Sequence, residues 1–143
     1  MKLPMTILAA VAMSTAVAHA ETHKIVMQVD ANDPGKFSLA LNNVENVIAY
    51  YKANGNPDVK IDVVAYGPGL NMYVKAKTPV ATRIAAISLA NPNVEFSACA
   101  VTLGKMEKKV GHKVALLDEA TVVPGGVIKI TQDQENGYAF LKP

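Results

Sequence analysis

Hydrophobic and polar positions follow two periods that take turns along this chain. His23 to Val29 (His-Lys-Ile-Val-Met-Gln-Val) is rich in β-branched residues and predicts a first strand. Asp33 and Pro34 then supply an N-cap and a first helical residue. Behind them Phe37, Ala40, Leu41, Val44, Val47, Ile48 and Tyr51 keep helical spacing until Asn54-Gly55 stops the run. Val59 to Tyr66 begins as an alternating strand and becomes apolar, as in a strand entering a sheet covered on both faces. It ends at Gly67-Pro68-Gly69, and Leu70 to Val74 reads equally as a short helix or a loop.

The second half repeats this alternation. Thr78-Pro79 predicts a capped helix with Val80, Ile84 and Ile87 on its buried face, closed by Asn91-Pro92. In the next stretch Val94, Phe96 and Ala98 form one face of a strand, and Leu103, Met106 and Val110 take the spacing of a buried helix face. Lys108, Lys109 and Gly111 suit the end of that helix. His112 to Glu119 reads as a surface loop and Ala120 to Val123 as a short strand leading into Pro124-Gly125-Gly126. Val127 to Gln134 has strand propensity and a helical face at once, and the alternating order selects helix. Asn136-Gly137 turns the chain into a last strand, Tyr138 to Leu141. Five strands alternating with helices predict an α/β fold: a three-layer sandwich with a mostly parallel five-stranded sheet and helices on both faces.

The first twenty residues stand apart from this pattern. Lys2 gives a positive start, Ile7 to Val17 an apolar core and Ala18-His19-Ala20 a small-x-small cleavage signal, so residues 1–20 are expected to be a secretory signal peptide. Cleavage leaves residues 21–143 as a single domain, periplasmic or secreted. No later apolar run reaches the roughly 18 residues of a membrane span, so no membrane association is expected after cleavage.

The chain carries 14 basic and 12 acidic residues, and Lys2 belongs to the leader, which leaves the mature domain nearly balanced. Nothing in that charge marks a nucleic-acid or anionic-membrane partner. The single cysteine, Cys99, excludes an internal disulfide, so an exported chain must bury, cap or use that thiol.

Cys99 falls where the strand from Val94 hands over to a helix. A helix N-terminus favours an anion and shifts a thiol toward the reactive thiolate. The opposing reading is a small apolar filler, since unpaired cysteine is among the most buried residue types. In parallel sheets ligands gather beyond the C-terminal strand ends, which brings the turn of Tyr66, Gly67 and Gly69 toward the same rim. Gly-Pro-Gly matches neither phosphate-loop fingerprint and is also an ordinary turn. His112 belongs to a solvated loop and receives no base role. A soft-metal site joining Cys99 to Met72, Met106 or a histidine is disfavoured, because Met106 lies two helical turns, roughly 10 Å, further on. No metal and no cofactor are expected.

Taken in order, the strand His23 to Val29, the helix from Phe37, the strand ending Val64 to Gly69, the segment Val94 to Cys99 with Thr102-Leu103 behind it, and the ending Gly137 to Pro143 resemble the DsrE/DsrF-like proteins of sulfur metabolism. The resemblance implies a parallel α/β domain, assembly into homotrimers or hexamers, and a cysteine that carries sulfur as a persulfide. Cys99 stands at the matching strand end, with Tyr66, Gly67, Gly69 and Thr102 as candidate substrate contacts. A sulfur donor or acceptor protein, or a small thiol, would be the partner, since no second cysteine is present to resolve the persulfide. The alternative is a non-catalytic module of the same fold that binds a small ligand or a protein, with Cys99 structural.

Overall fold

The computed structural model describes residues 22–143, and the expected leader over residues 1–20 lies outside them. The chain runs β1 (His23–Val29), α1 (Pro34–Ala53), β2 (Val59–Ala65), a 3-10 helix (Gly67–Tyr73), α2 (Ala81–Ala90), β3 (Val94–Cys99), α3 (Ala100–Val110), β4 (Ala120–Val123), α4 (Gly126–Glu135) and β5 (Ala139–Leu141). The strands form one sheet in the order β4-β3-β2-β1-β5, and every pairing is parallel. This is the expected three-layer α/β fold.

Strand alternation sorts the side chains onto two unequal faces. Met27, Val29, Ile61, Val63, Ala65, Phe96 and Ala98 point into the large core, which α1, α2 and the 3-10 helix cover. The helix α1 is held as its sequence indicates: Asp33 Oδ1 accepts from the Gly35 amide at 2.8 Å, and Phe37, Ala40, Leu41 and Val44 are buried. On the other face α4 is the one helix among the described residues, and the cluster there joins Val26, Val64 and Ile130, with Tyr66 and Tyr138 against it.

Two expectations are corrected and one open reading is settled. The helix α2 starts at Ala81, not at Thr78-Pro79, because the Thr78 hydroxyl accepts from the Val80 amide at 3.3 Å and closes a local turn instead of capping a helix. Of the two readings of Leu70 to Val74, the short helix holds as far as Tyr73: it completes the 3-10 helix that begins at Gly67, with Leu70, Met72 and Tyr73 buried and Val74 as the extended C-cap. The helix α3 has no fully buried residue: Leu103 and Met106 pack partly on the core, and Val110 is 47% exposed. It lies against β3 close to the sheet edge, where only the four-residue β4 follows, so there is little sheet to cover it.

Candidate functional site

The C-terminal ends of the strands bring Asp30, Tyr66 and Cys99 to one rim. Gly69 lets this rim close. A Cβ built on Gly69 would stand 2.1 Å from the Val29 carbonyl oxygen, so only glycine allows the 3-10 helix to lie on the end of β1. The Tyr66 amide donates to that same carbonyl at 3.1 Å, and the Gly69 amide donates to the Tyr66 carbonyl at 3.1 Å.

Cys99 is the last residue of β3 and the N-cap of α3. Its sulfur replaces the oxygen of an ordinary capping side chain: Sγ accepts from the Thr102 amide at 3.5 Å. The Gly67 amide donates to Thr102 Oγ1 at 2.9 Å, tying the turn after β2 to the first turn of α3. Burial pushes the Cys99 thiol up, but the Thr102 side chain and the amides of Thr102, Gly126 and Val101 outweigh it, and the thiol lies below its ordinary value. Gly126 opens α4, so the N-termini of two helices converge on one sulfur. Gly126 is also where a side chain has no room, since a Cβ there would lie 2.7 Å from Tyr66 Cβ.

Asp30 and Lys142 pair at 2.7 Å beside this centre, and Gln28 Nε2 donates to Asp30 Oδ2 at 2.9 Å. The Lys142 ammonium, aided by Gln28, holds the Asp30 carboxyl below its ordinary range. Burial, and then the Asp30 charge, keeps the Tyr66 phenol protonated above its usual pKa. Tyr66 also lines a cleft of about 390 Å³ with Gln28, Val127, Ile130 and Phe140, and Cys99 is not among its lining residues.

The residues read from the sequence are therefore brought together in distinct ways. Thr102 touches Cys99 directly, Tyr66 meets it through Gly126, and Gly67 reaches it through Thr102. Gly69 is buried and its amide is committed to Tyr66, so it shapes the turn rather than offering a free donor. His112 is exposed, and its Nδ1 donates to the Lys113 carbonyl at 2.8 Å. Met72 is fully buried in the large core, and among the described residues no group of three or more His, Cys, Asp and Glu side chains is placed to hold a metal.

Sequence reasoning missed a charged cluster under α4. Asp62 is 1% exposed and Asp133 4%, and Lys129 Nζ lies 2.8 Å from Asp62 and 2.6 Å from Asp133. Ser97 Oγ donates to Asp62 at 2.7 Å. Desolvation raises the Asp62 carboxyl to about 6 against the pull of Lys129 and Ser97. The available signal was Asp62 itself, a carboxylate between Ile61 and Val63 where the strand turns apolar.

No protein-family model and no curated protein matches this chain. Among solved structures it is similar to a protein of unknown function, MTH1491 from Methanobacterium thermoautotrophicum, at 29% identity and a TM-score of 0.69, covering 85% of this chain and 99% of that one. That protein has the same α/β fold.

Proposed function

We propose that this chain is an exported sulfur carrier or sulfurtransferase-like protein of the DsrE/DsrF kind, working as a homotrimer or hexamer in the periplasm or outside the cell. The observation that carries the reading is the cap of α3, where Cys99 Sγ faces amides from two helix N-termini and its pKa falls despite burial. A lowered pKa raises the fraction of thiolate, the form that attacks sulfur.

The chemistry takes a donor of the thiosulfate or persulfide class. The Cys99 thiolate attacks the donor's outer sulfur, a new S–S bond forms, and the donor's S–S bond breaks. Sulfite or a thiolate then leaves with the electron pair. An acceptor thiolate next attacks the outer sulfur of the Cys99 persulfide, and Cys99 departs as thiolate. Cys99 is only 5% exposed, which hinders a bulky thiol from attacking the inner sulfur and closing an unproductive disulfide.

Assembly has its own support. Val101, Val127 and Ile128, in the first turns of α3 and α4, and Val122 at the end of β4 are all half exposed or more, and they surround the strand-end rim. An apolar rim of this kind suits burial between subunits.

Mass spectrometry tests the reading. Incubation with thiosulfate or polysulfide should add one sulfur to the native chain, removable by reductant and absent in Cys99→Ser, and light scattering should show an oligomer. Protein from the native host should begin after Ala20. The low exposure of Cys99 favours a second reading, a non-catalytic binding module with Cys99 as filler. Slow alkylation until unfolding, no sulfur adduct and a destabilised Cys99→Ser would establish that reading instead.

A further inference from the structure

A second cavity, independent of the thiol chemistry, opens at the other end of α3. It measures about 600 Å³ and lies between α3, the segment after the 3-10 helix and the loop after Val110. That volume is within the roughly 300–1,000 Å³ of small-molecule sites. Met106 and Val110, which line it, follow Cys99 by seven and eleven residues, so the cavity lies roughly 10 to 16 Å along the helix from the sulfur.

Its wall divides by chemistry. Val74, Met106, Val110 and Val114 give it an apolar floor, and among the described residues no carboxylate side chain lines it. The rim is cationic, with Lys75, Lys77, Lys109 and Lys113. Lys75 is neutralised by Asp118 at 2.7 Å and Lys113 by Glu107 at 2.9 Å. Among the described residues Lys77 and Lys109 have no ion-pair partner. The C-terminal end of α3 opposes an anion with roughly half an elementary charge, and the two unpaired ammonium groups exceed it. A neutral apolar ligand would leave that excess unused, and a cation would meet it as repulsion.

We propose that this cavity is a binding site for a small amphipathic monoanion of the fatty-acid class, with its chain against Met106 and Val110 and its carboxylate between Lys77 and Lys109. Calorimetric titration of the full chain with dodecanoate and with dodecanol, both below their aggregation limits, tests it. Dodecanoate should bind roughly five- to tenfold more tightly than dodecanol, and added salt should erase most of the difference. Lys77→Glu with Lys109→Glu, both exposed positions, should remove the preference without changing the unfolding midpoint, and Val110→Asp should abolish binding of both ligands. Equal affinity for acid and alcohol, a preference insensitive to salt, or an unchanged preference in the lysine double variant would overturn the proposal. So would failure of dodecanoate to bind together with an oligomer that Val110→Asp disperses, because the cavity would then be a contact between copies of this chain.

Discussion

The two faces of the sheet solve burial in different ways. Toward α1 and α2 the strands present Met27, Val63, Phe96 and Ala98, and the core closes by apolar packing. Toward α4 the same strands present Asp62, Ser97 and Cys99, and the single helix is held by Lys129 reaching down to Asp62 as well as by Ile130. A buried ion pair adds little net stability over apolar packing, but breaking it is costly, so the α4 face gains definition of helix position more than strength. Alternation along β3 puts Ser97 and Cys99 on one side, and the sulfur therefore belongs to the polar face, near helix ends instead of inside the apolar core.

The largest effect expected is on the apolar face. Phe96 is 1% exposed and meets Tyr73 edge-on at 6.0 Å, so Phe96→Ala should cost about 3 to 5 kcal/mol in denaturant unfolding. On the charged face, Lys129→Met leaves two buried carboxylates without their cation. A loss of about 3 kcal/mol is expected, at the low end for such pairs because Lys129 is 23% exposed. Replacing Asp62, Lys129 and Asp133 together by apolar residues should recover most of that loss. If the triple variant is as unstable as Lys129→Met, the face is held by something other than the ion cluster.

The same contrast has a pH signature. In the fold Asp62 keeps its proton up to about 6, because burial outweighs Lys129 and Ser97, while the unfolded chain releases it near 3.8. Between those values the folded state binds more protons, so this group's contribution to stability falls as pH rises through the window, by about 3 kcal/mol. Lys129 and Asp133 face Asp62 from α4, and the Tyr138 phenol lies in the same surroundings. Urea midpoints measured from pH 4 to 7 should show that slope, and Asp62→Asn should flatten it. An unchanged slope in the variant would assign the effect to other carboxylates.

The smallest effect concerns stability least and chemistry most. Thr102→Val removes the hydroxyl that joins Cys99 to the turn after β2, and it should slow alkylation of the thiol at neutral pH roughly fivefold. The urea midpoint should move far less than for Phe96→Ala. Alkylation at the unaltered rate would mean that the amides of the two helices alone set the thiol's reactivity.

Much of this architecture was legible because it is local. Asp33 and Pro34 start a helix wherever they stand, and the order of strands and helices along the chain carries the parallel sheet with it. The position of Cys99 at a strand-to-helix junction is equally local, since the cap bond spans only three residues. Thr78 shows where local reading fails: its hydroxyl has two nearby amide geometries, and the loop it closes selected the turn. The exposed Val110 shows a second limit, because helical spacing marks a face without saying what lies opposite it.

What only the tertiary structure decided are meetings between segments far apart in sequence. Asp62 and Lys129 meet because β2 and α4 stack across the sheet, and Gly126 reaches Cys99 because β4 returns beside β3 before α4 begins. The cavity beyond α3 likewise joins Val74 to Val110 and Val114. Periodicity and capping express the energetics of neighbours a few residues apart, whereas the partner of a buried charge or of a thiolate is set by strand register and crossover, which no single segment contains.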